Sequence, residues 1–127
     1  MVIHESAEDY LESILVLQQR RGQVRSIDIV NELGYSKPSV SIAMKKLREN
    51  GYITVNENNE ISLTEPGRKI AETIYERHTA LSKWLMDLGV SEQTALDDAC
   101  RIEHDISAES FAAIKEHIKK YSSEAKK

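Results

Sequence analysis

The chain has 127 residues, 40% of them hydrophobic and 30% charged, with a formal net charge of −4 and a single cysteine. This is the profile of a globular protein forming one compact unit or two small subdomains. It excludes an internal disulfide, and no run approaches the roughly 20 apolar residues of a membrane span. The opening MVIHESAEDY lacks the basic and apolar regions of a secretory leader, so the expected compartment is the cytoplasm, with no membrane partner.

In chain order, Tyr10, Leu11, Ile14, Leu15 and Leu17 recur at helical spacing and predict a first helix over residues 5–20. RRGQVR reads as a turn. Ser26 is the expected N-cap of a short second helix, IDIVNEL, which Gly34 ends. A third helix is expected from Lys37 to Asn50, with Pro38 in its first turn, where proline is tolerated, and Gly51 after it. The period then changes. Ile53 and Val55 alternate, NENN carries turn chemistry, and Ile61 and Leu63 alternate again, which predicts a β-hairpin. Thr64 caps a long helix whose buried stripe is read as Ile70, Ile74, Leu81, Leu85 and Leu88, and Gly89 stops it. Two more helices follow, over 92–106 with Ala95, Ala99, Ile102 and Ile106 inward, and over 108–121 with Phe111, Ile114, Ile118 and Tyr121 on one face.

Helix, short helix, turn, helix and hairpin is the order of a winged helix-turn-helix. In the third helix Val40, Ala43, Met44 and Leu47 take the buried face. Lys37, Ser39, Ser41, Ile42 and Lys45 are left outward, with Ser36, Pro38 and Lys46 at the start and border. Lysines neutralise phosphate, small hydroxyls approach base edges closely, and an exposed isoleucine can meet a thymine methyl. From Lys37 to Arg48 there are four basic residues and no acidic one, so an acidic chain concentrates positive charge where double-stranded DNA would lie. Asn58 and Asn59 at the hairpin tip are further candidate contacts. The competing reading is a winged helix used for protein contacts, with its lysines merely solvated.

The second half carries CRIEHDIS. Cys100, Glu103 and His104 stand at i, i+3 and i+4 and so share a helix face. His78 falls in the apolar stripe of the long helix, and Asp9 and Glu12 are three apart on the first helix. Thiolate, imidazole and carboxylate make a reasonable shell for a divalent transition metal. Each also has a plainer role: first-turn acids at a helix N-terminus, a satisfied core histidine, a small hydrophobic cysteine. Spacing alone leaves both open. A nucleophilic Cys100 with His104 as base lacks any oxyanion hole or Gly-rich loop, so no enzyme is expected.

AEDYLESILVL, SKPSVSIAMKKLRENGYI, ISLTEPGRKIA, ERHTAL and CRIEHDIS follow one another as in the metal-dependent repressors of the diphtheria toxin repressor family, which this chain resembles over about residues 5–120. The resemblance implies a mainly α protein: a winged helix-turn-helix with a small β-hairpin wing over 1–64, then an all-α metal-binding and dimerisation domain over 65–127. It implies Asp9, Glu12, His78, Cys100, Glu103 and His104 as metal ligands, and a homodimer on a palindromic operator, repressing metal-uptake genes. Iron-type relatives typically pair methionine and cysteine where this chain has Asp9 and Cys100; manganese-type relatives pair aspartate and a carboxylate. Ser82 and Leu96 stand where the iron type places its ancillary ligands, and the chain ends near 127, before the SH3-like domain of longer members. The short manganese type is therefore the expected architecture. Fe(II) or Mn(II) is the expected effector, with Zn(II) and Co(II) also suited to the donors. The alternatives are a zinc-responsive regulator of this family and a metal-independent, redox-sensing repressor using Cys100.

Overall fold

The structure is a computed structural model that describes residues 5–125, with side chains over 7–121. Its elements are α1 (Glu5–Arg21), α2 (Ser26–Leu33), α3 (Lys37–Glu49), β1 (Ile53–Val55), β2 (Ile61–Leu63), α4 (Glu65–Asp87), α5 (Glu92–Asp105) and α6 (Ala108–Ala125). The mainly α class, the hairpin and the element order are those the patterning predicts. The chain divides into two compact units, Met1–Ile74 and Tyr75–Lys127, and the division falls inside α4.

The first unit is built on a core of Leu11, Ile14, Val24, Ile29, Val40, Met44, Leu47, Ile53 and Ile61, all buried. Burying each such side chain contributes about 1.5–3 kcal/mol, so the helix-turn-helix is held by its apolar faces. Gly34 ends α2 at φ 73°, a left-handed conformation that a Cβ disfavours, and its N–H returns to the Val30 carbonyl. Two residues later Ser36 caps α3, its Oγ accepting from the Ser39 N–H. The N-cap of α2 is Arg25 rather than Ser26, because the Asp28 carboxylate reaches back to the Arg25 N–H at 2.9 Å and fixes the first turn one residue earlier.

The hairpin pairs Ile53 with Leu63 and Val55 with Ile61 in antiparallel register. Ile61 ties it to the start of the chain: its N–H donates to the Val24 carbonyl in the α1–α2 turn and its carbonyl accepts from Gln18 Nε2 on α1, while Thr64 N–H donates to the Tyr52 carbonyl and extends the pairing. Thr64 Oγ1 donates to the Gly51 carbonyl and accepts from Gly67 N–H, so one hydroxyl joins the end of the α3 turn to the start of α4.

The second unit packs around Leu81, Ala99 and Phe111, with Trp84, Ile102, Ile106 and Ile114 against them. Two stripe assignments are corrected. Leu88 is 64% exposed and Tyr121 53% exposed. Leu88 lies beyond the end of α4, beside Gly89 at φ 102°, where the chain leaves the helix and the 3.6-residue period no longer applies. No described helix is long and apolar enough to cross a membrane.

Candidate nucleic-acid interface and metal centre

The outward face of α3 forms as its sequence predicts. Lys37, Ser39, Ser41, Ile42, Lys45 and Lys46 are exposed, Ile42 by 58%. Among the described residues, the side chains of Lys37, Lys45, Lys46 and Arg48 make no ion pair or hydrogen bond, whereas Arg20, Arg21, Arg68, Arg101 and Lys115 each meet a carboxylate. Four cations are thus left open together on this helix, which concentrates positive charge there. Between α3 and the wing lies a cleft of about 310 Å³, lined by Ser26, Ser41, Lys45, Arg48 and Asn59, with Met44 and Val55 at its floor. Two cations, two hydroxyls and an amide without a carboxylate suit a phosphate.

Not every predicted contact lines that cleft. Ser36 and Ser39 hydroxyls engage each other at 2.8 Å as part of the cap, and Pro38 sits in the first turn. Asn58 is at the wing tip, where its carbonyl accepts from Arg25 Nε. Asn59 takes φ 62°, and Asn56 Oδ1 holds the tip by accepting the N–H groups of Asn58 and Glu60. Sequence reading missed Ser26 and Arg48 as lining residues. The signal for Arg48 was present: Ser41, Lys45 and Arg48 lie at i, i+4 and i+7, one helix face.

In the second unit, three predicted ligands gather around a fourth, Glu103. Cys100 Sγ, a Glu103 carboxylate oxygen and a His104 ring nitrogen lie within 4.8 Å of one another. Glu103 is fully buried, and His78 Nδ1 on α4 donates to its Oε2 at 2.8 Å. Its Oε1, 3.4 Å from His104 Nε2, makes no hydrogen bond among the described residues. The His104 side chain is 1% exposed, that of His78 28%, and Cys100 is exposed. A buried carboxylate is costly unless positive charge or several donors meet it. One imidazole hydrogen bond leaves half of this carboxylate unmet, and the neighbouring donors are sulfur and nitrogen, so the arrangement fits a divalent cation.

Asp9 and Glu12 belong to the first unit, where both are half-buried on α1 and one Glu12 oxygen is fully buried. Between them, Tyr10 packs edge-to-face on Tyr35 at 5.7 Å, just ahead of the α3 cap. Burial, with the charges of Tyr35 and Asp9, raises the Tyr10 phenol above its ordinary pKa, so it stays neutral at physiological pH.

Two domain models match the chain in sequence: an iron dependent repressor N-terminal DNA binding domain over residues 3–60, and an iron dependent repressor metal binding and dimerisation domain over residues 64–125. The chain belongs to the iron-dependent repressor family. It is 34% identical over 117 residues to the transcriptional regulator MntR of Escherichia coli O6:H1, covering 92% of this chain and 76% of that one. It is 35% identical over 102 residues to the HTH-type regulator MntR of Geobacillus kaustophilus, covering 80% and 72%. An uncharacterized HTH-type regulator of Methanocaldococcus jannaschii is 31% identical over 119 residues, covering 92% and 95%. Among solved structures, a manganese-dependent transcriptional repressor in complex with manganese superposes with a TM-score of 0.80 at 28% identity, over 88% of this chain. The chain spans about half the length of that solved chain, 52%.

Family members of this kind are DNA-binding, metal-binding, dimerising regulators and not enzymes. The outward face of α3 therefore falls in the repressor's DNA-binding domain, and the Glu103 cluster in its metal-binding and dimerisation domain. Cys100 as a catalytic nucleophile is set aside.

Proposed function

We propose that this repressor acts as a cytoplasmic homodimer whose binding to a palindromic operator, at metal-uptake genes, is switched on by Mn(II) or Fe(II). Zn(II) and Co(II) also suit the donors. The observation that carries the reading is Glu103, a fully buried carboxylate met by His78 on one oxygen and approached by His104 on the other. The MntR relatives and the manganese-bound repressor of similar fold support manganese.

The proposed ligand set is Asp9, Glu12, His78, Cys100, Glu103 and His104, with residues 1–64 as the DNA-binding domain and 65–127 as the metal-binding and dimerisation domain. When bound, the ion supplies two positive charges and a demand for several donors at once. The protein's own parts do the rest. Glu103 and His104 present oxygen and nitrogen from one face of α5, and His78 holds the Glu103 carboxylate in place. Asp9 and Glu12 stand beside Tyr10, whose ring bears on Tyr35 at the entrance to α3. A fixed α1 thus favours one placement of the recognition helix, and in a dimer two such helices must match half-sites one DNA turn, or a multiple of it, apart. Ser41, Ile42 and Lys45 read or hold the groove, with Ser36, Lys37, Pro38, Ser39, Lys46, Asn58 and Asn59 as further contacts. Ser26 and Arg48 join Ser41, Lys45 and Asn59 in holding a phosphate in the cleft. Among the metals, Asp9, Glu12 and Glu103 favour manganese, while the Cys100 thiolate draws the site toward iron, cobalt or zinc.

The test is DNA-binding anisotropy on chelator-stripped protein under anaerobic conditions, against sites selected from a random pool. The expected result is an affinity gain within about 5–150-fold, the ordinary range of such coupling, reversed by chelator. Equal DNA affinity with and without each ion overturns the reading. Sensitivity to oxidant with indifference to chelator assigns the switch to Cys100 instead.

A further inference from the structure

The geometry points to Arg77 as a positioning residue for the metal ligands of α5. The inference rests on the metal-centre reading above and deepens it. Arg77 and His78 are adjacent on α4, and both grip Glu103. His78 holds the carboxylate, while Arg77 Nη1 donates to the Glu103 main-chain carbonyl at 3.0 Å and to the Ile106 carbonyl at 3.1 Å. Glu103 is thereby fixed at its backbone and at its side-chain tip by one turn of a neighbouring helix.

The chemistry of the contact explains why the residue is an arginine. The last carbonyls of a helix lack N–H partners within it and sit at the negative end of its dipole. The two N–H groups on Nη1 lie in the guanidinium plane and diverge, one toward each oxygen, a fixed geometry that a freely rotating ammonium does not hold. The guanidinium also lies over the Phe111 ring, 5.6 Å from its centroid, so α6 fixes the plane of the fork. Its Nε is buried without a hydrogen-bond partner. The group is therefore held by the two carbonyls and the ring rather than by a carboxylate pair. Electrostatics alone makes a cation beside a cation site a liability. The placement is accounted for by what it does to α5: it ties down the turn from which Glu103 and His104 project.

The experiment is an anaerobic Co(II) titration of the full chain, followed by visible absorption, on the wild type, Arg77→Lys and Arg77→Gln, with circular dichroism as the measure of fold. The expected result is that both variants stay folded, bind Co(II) about 10–100-fold more weakly, as is usual when a partner that orients a ligand is lost, and shift the Co(II) spectrum. Wild-type affinity and spectrum in either variant overturn the inference. So does tighter binding by Arg77→Gln, which would make Arg77 a mere repulsive charge. Loss of fold in both variants overturns it as well, since Arg77 would then support the whole unit. A wild type that binds no Co(II) fails at the metal-centre reading itself and takes this inference with it.

Discussion

A carboxylate with no exposed surface and one oxygen without a hydrogen bond sets the terms for every residue around it. His78→Ala removes the imidazole from Glu103 Oε2, and Glu103→Ala removes the carboxylate that His78 and His104 approach. Either variant is expected to remain a folded dimer whose DNA affinity no longer changes when metal is added, read by the same anisotropy titration. A variant that still switches is not missing a ligand. On the other unit, Lys45→Ala removes a cation that meets no carboxylate, so its loss leaves no buried charge behind. Its DNA affinity is expected to fall across all sequences, with the slope of log affinity against log salt reduced by about 1, while metal affinity without DNA is unchanged. Charge and spacing drew notice to these residues, with four bases and no acid from Lys37 to Arg48 and a thiol, a carboxylate and an imidazole on one helix face, but spacing left the metal reading open and the family resemblance supplied the ligand set. Arg77 was not readable. Its role depends on two carbonyls, 26 and 29 positions away, that no side-chain pattern announces.

At the scale of elements, the winged helix-turn-helix followed from local rules. Gly34 at a positive φ, Ser36 as a cap and alternation in the hairpin each require a particular residue at a particular place. The misreadings share one physical cause. A 3.6-residue period identifies an apolar face but not where the helix bearing it stops or what covers it, which is why Leu88 and Tyr121 were placed inward and are exposed. Ser26 failed as a cap for a different reason, since Asp28 reaching back to the Arg25 N–H competes for the same turn. One junction makes a strong demand on sequence. A Cβ built on Gly67 would lie 2.0 Å from the Tyr52 carbonyl oxygen, an atom already bonded to the Thr64 N–H. Gly67→Ala is therefore expected to destabilise the first unit by about 1–3 kcal/mol, the usual cost of overpacking, seen as a lower denaturation midpoint. An unchanged midpoint would mean that the hairpin exit shifts freely.

For the whole molecule, family membership adds the partners that one chain cannot display: DNA, a metal ion and a second copy. The proposed metal site should then add stability to the chain when metal binds. A ligand at about 100 times its dissociation constant contributes roughly 2.7 kcal/mol to the state that binds it. Thermal melting with manganese(II) present is expected at a higher temperature than with chelator, and His78→Ala should abolish the difference. Melting that ignores chelator in the wild type would argue that the Glu103 cluster is satisfied by its own imidazoles.

The unpaired bases of α3 have a kinetic consequence. The chain carries a net charge of −4, yet four cations stand open on a single helix. The net charge disfavours a duplex in general, while an approach to that helix is favoured. Diffusion is thereby steered, and fewer collisions are spent in the wrong orientation. Added salt shortens the reach of this guidance to about 8 Å at physiological ionic strength. The rate of operator capture, followed by stopped-flow, should accordingly fall with salt even where the bound complex is held by contacts that salt scarcely touches.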